Sequence, residues 1–259
     1  MTPCISFASY PGLRHEVAAA MALVNPPTEP VFGTLSTEHV QLVPQSFGQL
    51  TEERATALRD SWPQTSFRLH ANTRVLKQHL FADLSNFVEN AEYFTQAARI
   101  SKVLGAPAYT AHSGYRAQAD MATMLDNARR CADLFGCPVG IEGQYPNKEA
   151  NLLVSSWSEY QEVFESGLPY ALDLSHLNIL AHKTKRQEMQ LVKEMLASDQ
   201  LLECHVSANN GTGDWHQICD DKPWWYELLP HINPNAVTFS EGNHRRSRDP
   251  QVAAAKTEH

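Results

Sequence analysis

Short apolar runs alternate with longer helical patterns along the whole chain of 259 residues. Eight of these runs have the length and composition of buried strands. They lie at Cys4–Tyr10, Glu38–Val43, Ser66–Leu69, Ala108–Ala111, Pro138–Ile141, Tyr170–Leu172, Leu202–Val206 and Ala236–Phe239. Because parallel strands need a long crossover between them, usually a helix, this alternation predicts a parallel α/β sheet.

Helical periodicity fills most of the intervals between the strands. The predicted helices are Glu52–Ser61, Leu84–Leu104, Ala119–Phe135, Trp157–Glu165, Arg186–Ala197 and a short segment at Trp224–Ile232. Gly105 and Gly136 stand where two of these helices should end, which is the usual position of a C-cap glycine.

Eight strands with intervening helices fit either a closed barrel or an open, doubly wound sheet. No GxGxxG turn follows the first strand, so a dinucleotide-binding sheet has little support. We therefore predict a single (β/α)8 TIM barrel that forms a catalytic domain over residues 1–249. Residues 250–259 are predicted to be a flexible C-terminal tail.

Composition narrows the class of protein. The formal net charge of −8 disfavours nucleic acid as a partner, because phosphate contacts need a basic footprint. The five cysteines show no CxxC spacing, which favours reduced thiols. No apolar run is long enough to span a bilayer and the N-terminus lacks a signal-peptide pattern, so we predict a cytoplasmic protein without a membrane partner.

Ionisable side chains collect at one end of the predicted strands. Active sites of such barrels lie at the C-terminal strand ends, so the residues at those ends are informative. Strands three to eight supply nine candidate metal ligands: His70, His112, Glu142, Asp173, His176, His205, Asp214, His216 and Glu241. Imidazole and carboxylate donors without a thiolate suit zinc, iron, manganese or cobalt. Nine donors are too many for one ion, so we predict two or three metal ions, two of them bridged by Glu142.

Each residue alone has a simpler interpretation. A single histidine at a strand end is more often a hydrogen-bonded polar residue than a ligand. Asp173 with His176 could be a helix-capping pair, and the loop that carries Asp214 and His216 could be an ordinary turn. The metal centre is favoured because chance does not readily place nine such residues at one rim.

Residues next to these positions are candidate substrate contacts. They are Asn72, Arg74, Asn209, Asn210, His244 and Arg245. Most other histidines, among them His15 and His182, fall on predicted helices or loops and are predicted to be solvated.

The ligand pattern as a whole resembles the xylose-isomerase-like TIM-barrel superfamily, and three branches of it compete. Sugar isomerases and epimerases typically use late-strand ligands that match Glu142, Asp173, His205 and Glu241. Endonuclease IV uses three zinc ions, and its ligand pattern is similar to all nine positions. That resemblance implies one ion at His70, His112 and Glu142, and a second at Glu142, Asp173, His205 and Glu241. It implies a third ion at His176, Asp214 and His216.

The third branch comprises the multinuclear non-heme iron-dependent oxidative enzymes, whose members include an oxidase of methanobactin biosynthesis. Three segments look similar to that branch: HVQLVPQSFGQLTEE leading into FRLHANTR, IEGQYP, and DWH followed by WWYELL. The chain departs from it at Gly143, where the family has Asn, and at His176, where the family generally has Asn.

The third branch is the favoured prediction. What it implies is an iron cluster that uses O₂ to oxidise a Cys or similar residue of a peptide, with a small leader-binding partner protein. An endonuclease IV-like zinc phosphodiesterase is the first alternative. A metal-dependent sugar isomerase or epimerase, for which manganese would also serve, is the second.

Overall fold

A computed structural model describes residues 2–147 and 149–245 of the chain. The strands are β1 (Cys4–Ser6), β2 (Thr28–Glu29), β3 (Gly33–Thr34), β4 (Ser36–Leu42), β5 (Ser66–Leu69), β6 (Tyr109–His112), β7 (Val139–Glu142), β8 (Tyr170–Asp173), β9 (Leu201–Val206) and β10 (Val237–Ser240). The α-helices are α1 (His15–Val24), α2 (Glu52–Ser61), α3 (Ala91–Leu104), α4 (Met121–Phe135), α5 (Trp157–Glu165), α6 (Leu174–Thr184) and α7 (Met189–Ala197). Short 3₁₀ helices lie at Phe7–Ser9, Leu84–Asn86 and Trp224–His231.

Eight strands form one parallel sheet in the order β5-β4-β1-β10-β9-β8-β7-β6. The two strands at the ends of this order, β5 and β6, also contact each other, so the sheet curls into a nearly closed barrel. The remaining strands, β2 and β3, pair as an antiparallel hairpin outside it. The predicted TIM barrel is therefore confirmed. The predicted tail at residues 250–259 lies outside the described residues.

All eight predicted barrel strands are present, with bounds that shift by one to four residues at most ends. Helices α2 and α5 match their predicted bounds, and the C-cap glycines Gly105 and Gly136 adopt the left-handed conformation at φ 64° and 67°. The predicted helix Leu84–Leu104 is divided into a 3₁₀ turn and α3. The Asn86 side chain explains the break, because it bonds to the backbone of Phe81 and Asp83 and competes with helical hydrogen bonds.

The sequence analysis did not predict two of the helices, α1 and α6. Helix α1 is mostly alanine and other small apolar residues, so it shows little amphipathic periodicity. Helix α6 follows β8 without any loop, because Asp173 both ends the strand and caps the helix. The prediction that His15 is solvated is wrong. His15 begins α1 and is only 3% exposed, and burial lowers the pKa of its ring to about 4.

The barrel buries a continuous apolar core that includes Ile5, Val40, Phe67, Tyr109 and Leu172. Within the described part of the chain, none of the helices combines the length and the hydropathy that crossing a bilayer demands.

Candidate metal centre

The parallel sheet carries six of the nine candidate ligands to one rim of the barrel. His112, Glu142 and Asp173 are the last residues of their strands, and His205 is the last but one of β9. His70 and Glu241 directly follow β5 and β10. Strand register places His112 beside Glu142 and Asp173 beside His205. The C-terminal ends of parallel strands meet at one edge, so these side chains converge.

Glu142 lies at the middle of this group. Its Oε2 is 2.8 Å from Nε2 of His70 and 3.7 Å from Nε2 of His112. Its Oε1 is 3.5 Å from Nδ1 of His205 and 3.8 Å from Nδ1 of His176. The two oxygens therefore face different imidazoles, as a carboxylate that bridges two ions requires.

His205 is oriented from behind by a buried ionic network. Its Nε2 is 3.0 Å from Oε2 of Glu203, and Oε1 of Glu203 is 3.0 Å from Nη1 of Arg68. The Gln41 amide also donates to Glu203, at 3.1 Å. A carboxylate on one ring nitrogen fixes an imidazole for metal binding through the other, here Nδ1. That nitrogen is 4.0 Å from Oε1 of Glu241.

The remaining three candidate ligands, His176, Asp214 and His216, form a group of their own, which we call the third donor group. Oδ2 of Asp214 is 2.8 Å from Nε2 of His216 and 3.6 Å from Nε2 of His176. The Nδ1 atom of His176 lies 3.0 Å from the Gly143 carbonyl oxygen, which again anchors one ring nitrogen and leaves the other facing carboxylates. His216 Nδ1 lies 3.7 Å from Oε2 of Glu241, so the third group adjoins the others.

Asp173 caps α6 with one carboxylate oxygen and directs the other toward the candidate metal site. Its Oδ1 accepts hydrogen bonds from the backbone of Ser175 and His176 at 2.7 and 3.3 Å, which caps α6. Its Oδ2 lies 3.3 Å from Nε2 of His176. One oxygen is therefore structural, and the other is available to an ion.

The donor geometry fits metal ions. Three triads have donor atoms within 4.8 Å of one another: His70 with His112 and Glu142, His70 with His205 and Glu241, and Glu142 with Asp173 and His176. Oε2 of Glu142 and Nδ1 of His205 are buried, and among the described residues none of their contacts has hydrogen-bond geometry, including the 2.8 Å contact of Oε2 with Nε2 of His70. Unpartnered buried polar atoms are costly, and ligation by a cation would satisfy both.

The electrostatics of the site also favour cations. Burial raises the pKa of the Glu142 carboxyl, but His70, His205 and His112 outweigh it and hold that pKa well below its usual range. Burial, together with the nearby Asp173 carboxylate, keeps the pKa of Glu241 above its usual range despite the neighbouring histidines. In His176, burial opposes protonation, yet Asp173, Asp214 and Glu142 raise the pKa of the ring to about 10. The raised pKa of His176 lets a proton on its ring balance the neighbouring carboxylates, a role that a bound divalent ion would take over.

A cavity of about 210 Å³ opens above these ligands. Eight of the nine candidates line it, and His205 lies beneath, fully buried. The sequence analysis missed the other lining residues, which are Val43, Pro44, Gln45, Gln144 and Tyr145. They follow β4 and β7, and all five lie in the segments HVQLVPQSFGQLTEE and IEGQYP that carry the resemblance to the iron-dependent branch.

The sequence analysis did not identify Asp83 and Glu203, two further residues that hold side chains of the site in place. Oδ1 of Asp83 is 3.5 Å from Nδ1 of His112 and also accepts a hydrogen bond from the Asn72 amide at 2.9 Å. Glu203 orients His205, as described above. Asp83 follows no strand, and Glu203 is a charged residue inside one, so neither matches the strand-end pattern.

Among the described residues, none of the predicted substrate contacts lines the cavity of the candidate metal centre. They lie around it instead. Asn72 is buried and hydrogen-bonded to Asp83. Arg74 donates to the carbonyl oxygen of Pro44 at 3.1 Å and so supports the cavity wall.

The other four predicted substrate contacts form hydrogen bonds with neighbouring residues outside the cavity. The Asn209 amide donates to the Ser175 carbonyl oxygen at 2.9 Å, and Oδ1 of Asn210 accepts from Nε1 of Trp215 at 3.1 Å. Nε2 of His244 lies 3.0 Å from Oε1 of Glu29. The exposed Arg245 donates to the Pro11 carbonyl oxygen.

Gly143 has a packing reason for departing from the iron-oxidase pattern. A Cβ atom at this position would lie 2.3 Å from the Tyr160 ring. The Tyr160 hydroxyl donates to the Gln144 carbonyl oxygen at 2.8 Å, which holds the ring in place. An asparagine at position 143 therefore requires a different packing of α5 against β7.

No protein-family model and no curated protein matches the sequence significantly. Solved structures do match. A D-tagatose 3-epimerase-like protein gives a TM-score of 0.64 at 15% identity, over 100% of this chain and 95% of that one. An AP endonuclease, family 2, from Brucella melitensis gives 0.64 at 14% identity over 100% of both chains. A D-psicose 3-epimerase gives 0.62 at 11% identity, over 98% of this chain and 88% of that one.

Likeness at this level of identity shows the fold. The resemblance to the multinuclear iron-dependent oxidative enzymes is not shown by these comparisons, whereas proteins named as epimerases and as an AP endonuclease share the architecture. The chain has a TIM-barrel fold, which it shares with these proteins.

Proposed function

We propose that the protein is a multinuclear metal-dependent hydrolase that acts on phosphodiesters. The observation that carries this proposal is the third donor group, His176, Asp214 and His216, in contact with the centre around Glu142. The nine donors would hold three ions in the arrangement that the endonuclease IV resemblance implies, with zinc the favoured metal. When bound, such ions supply Lewis acidity, which polarises a phosphoryl oxygen and makes water a stronger acid.

The protein's own residues hold and limit the site. Glu203 and the Gly143 carbonyl fix two imidazoles, so the ligand geometry is set before a substrate arrives. Gln144 and Tyr145 line the cavity and would orient the substrate. The cavity is small, and the chain carries a net charge of −8, so a small phosphodiester is favoured over duplex DNA.

The third donor group also separates this proposal from a sugar isomerase. The ligands typical of that branch, Glu142, Asp173, His205 and Glu241, converge here with five further donors. An isomerase would leave His176, Asp214 and His216 without a role. All three side chains are at most a fifth exposed and held by ionic contacts, and such burial of ionisable groups is costly to maintain without a role.

The iron-dependent oxidase is the second candidate function. Two of the segments that resemble the oxidase branch border the cavity, which favours this candidate. Val43, Pro44 and Gln45 belong to HVQLVPQSFGQLTEE, Gln144 and Tyr145 belong to IEGQYP, and all five line the cavity. In that case the substrate would be a peptide, supplied with a small leader-binding partner protein. The histidine at position 176 favours the hydrolase instead.

One experiment tests the proposal against the second candidate. The chain is purified anaerobically, its metals are identified, and it is assayed with bis(p-nitrophenyl) phosphate after loading with Zn²⁺ or Fe²⁺. A colourless zinc protein that hydrolyses the ester supports the hydrolase. His176→Asn, which introduces the residue of the oxidase branch, should abolish hydrolysis, while His182→Asn at an exposed position should retain it. A coloured iron protein without esterase activity would contradict the proposal.

A further inference from the structure

We infer that the substrate is elongated and carries a second phosphate, which binds at Arg116 and Lys183 beyond the metal centre. This inference rests on the proposed hydrolase function and names the substrate class for it. The substrate would be a nucleoside phosphodiester with a further phosphate on its sugar. The reacting phosphodiester lies at the metal ligands, and the second phosphate lies at the opposite end of a groove.

The groove consists of three adjoining cavities. The central cavity of about 210 Å³ shares Pro44, Gln45, His112 and Gln144 with a second cavity of about 300 Å³. The second shares Asn147 and Leu152 with a third cavity of about 500 Å³. Because they share lining residues, the three cavities adjoin one another in a row, and their combined volume is more than a single phosphate group fills.

Gln144 marks the junction of the first two cavities. Its Nε2 atom is buried and has no hydrogen-bond partner within the described residues, although the side chain borders both spaces. Its backbone is fixed, because the amide donates to the Val154 carbonyl oxygen at 2.8 Å and the carbonyl accepts from the Tyr160 hydroxyl at 2.8 Å. A buried donor without a partner, on a backbone that is fixed, favours a substrate acceptor at this point.

Two cations line the far cavity. The Lys183 ammonium donates to the Pro146 carbonyl oxygen and lies 5.8 Å from the centre of the Tyr145 ring. Across residues 2–147 and 149–245, no carboxylate lies within ion-pair distance of Lys183. Arg116 pairs through Nη2 with Glu159 at 2.5 Å, and its side chain is 38% exposed. Its remaining N–H groups and the lysine suit a phosphate.

The space between the two charged ends suits an aromatic base or a sugar. Phe81, which is 65% exposed, lines the middle cavity together with Tyr115 and Leu152. A large exposed aromatic side chain beside polar groups is typical of a ligand surface. Among the described residues, no lysine or arginine lines this middle cavity, so a neutral group fits there better than a third phosphate.

The test compares two chromogenic esters with the metal-loaded full chain. One is the p-nitrophenyl ester of thymidine 5′-phosphate, and the other carries an additional 3′-phosphate. We expect the 3′-phosphate to lower KM about tenfold, as a charged hydrogen bond does. Arg116→Gln and Lys183→Gln should each remove most of that advantage, so that the ratio of the two KM values falls toward one in either variant. Lys102→Gln, at an exposed lysine on another cavity, is the matched control.

A binding measurement distinguishes a failure of the second phosphate site from a failure of the proposed hydrolysis. Calorimetry with thymidine 3′,5′-bisphosphate and thymidine 5′-monophosphate should show about tenfold tighter binding of the bisphosphate, lost in Arg116→Gln. If both esters are hydrolysed without preference and both nucleotides bind equally, the groove assignment is overturned and the hydrolase stands. If neither ester is hydrolysed but the bisphosphate preference depends on Arg116 and Lys183, the groove stands and the proposed reaction falls.

Discussion

The Glu203 carboxylate lies 3.0 Å from Nε2 of His205, so the ring nitrogen that faces Glu142 and Glu241 is Nδ1. The same carboxylate pairs with Arg68 at 3.0 Å, and both side chains are almost fully buried. Burial raises the pKa of Glu203, but His205 and Arg68 outweigh it and lower this pKa to about 2. A charged network below the barrel rim therefore determines the orientation of one central ligand.

Glu203→Gln should weaken metal binding and destabilise the metal-free protein. Loss of a carboxylate behind a ligand histidine lowers metal affinity by about 10- to 100-fold. Arg68 would also remain buried without its ionic partner, which costs about 3–5 kcal/mol. Competition with a chelator measures the first effect, and denaturant unfolding of the metal-free protein measures the second. The exposed Glu92→Gln is the control, and a Glu203 variant that matches it in both assays would refute this role.

Glu142→Gln tests the bridge. The amide keeps the shape of the side chain but loses the charge that two sets of imidazoles share, so metal content and activity should fall together. Elemental analysis should find at least one ion fewer per chain than in the parent. The exposed Glu162→Gln should retain the full metal content. Unchanged stoichiometry in the Glu142 variant would show that this carboxylate does not bridge.

The double variant Asp214→Ala/His216→Ala tests the third ion. Both ligands lie on a loop with Gly211 and Gly213, and ordering that loop costs conformational entropy, so we expect the weakest ion there. The variant should fold and keep the two inner ions but lose one equivalent at saturating metal. Trp215, which lies between the two ligands and is 46% exposed, should report the third binding event by fluorescence in the parent. Loss of all ions in the variant would contradict separate positions.

Metal affinity should rise with pH. Burial opposes protonation of His176 and His216, but neighbouring carboxylates raise the pKa values to about 10 and about 9. A ligand imidazole must be neutral, so each histidine releases a proton on metal uptake below these values. Affinity at the third position should increase about tenfold per released proton and pH unit from pH 6.5 toward pH 9.

The metal-free protein should show the opposite trend. Both folded-state pKa values exceed the unfolded value near 6.5, so these histidines stabilise the fold fully below that pH. That contribution is lost as the pH rises through about 9 and 10. Chelator competition and denaturant unfolding over this pH range measure the two slopes, with His182→Gln as the control. Metal affinity that does not change with pH would contradict the account.

The sequence predicts the barrel well because buried parallel strands are continuous apolar runs and their ends are marked by ligand residues. Ser66–Leu69 has the bounds that the sequence predicts, and His70 directly follows it. Helix α1 was missed since its alanine-rich pattern lacks an amphipathic period. The break before α3 was missed since it depends on hydrogen bonds that Asn86 makes with the backbone.

The site was predictable where it follows strand ends and not where it depends on packing. Strand ends identify His112 and Glu142, whose neighbouring positions then follow from parallel register. The role of Glu203 depends on a contact with Arg68, more than a hundred residues earlier in the chain, and no local pattern signals it. Asn72 was assigned to substrate, but its amide bonds to Asp83, a contact that only the folded chain shows.

The number of metal ions bound per chain tests the central claim most directly. Metal is removed from the purified protein with a chelator, Zn²⁺ is added back, and unbound ions are removed by desalting. Inductively coupled plasma mass spectrometry then gives the number of zinc ions bound per chain. The account predicts about three equivalents at saturation, with at least two retained after desalting. One equivalent or none would contradict a multinuclear centre built from His70, Glu142, His205 and their neighbours.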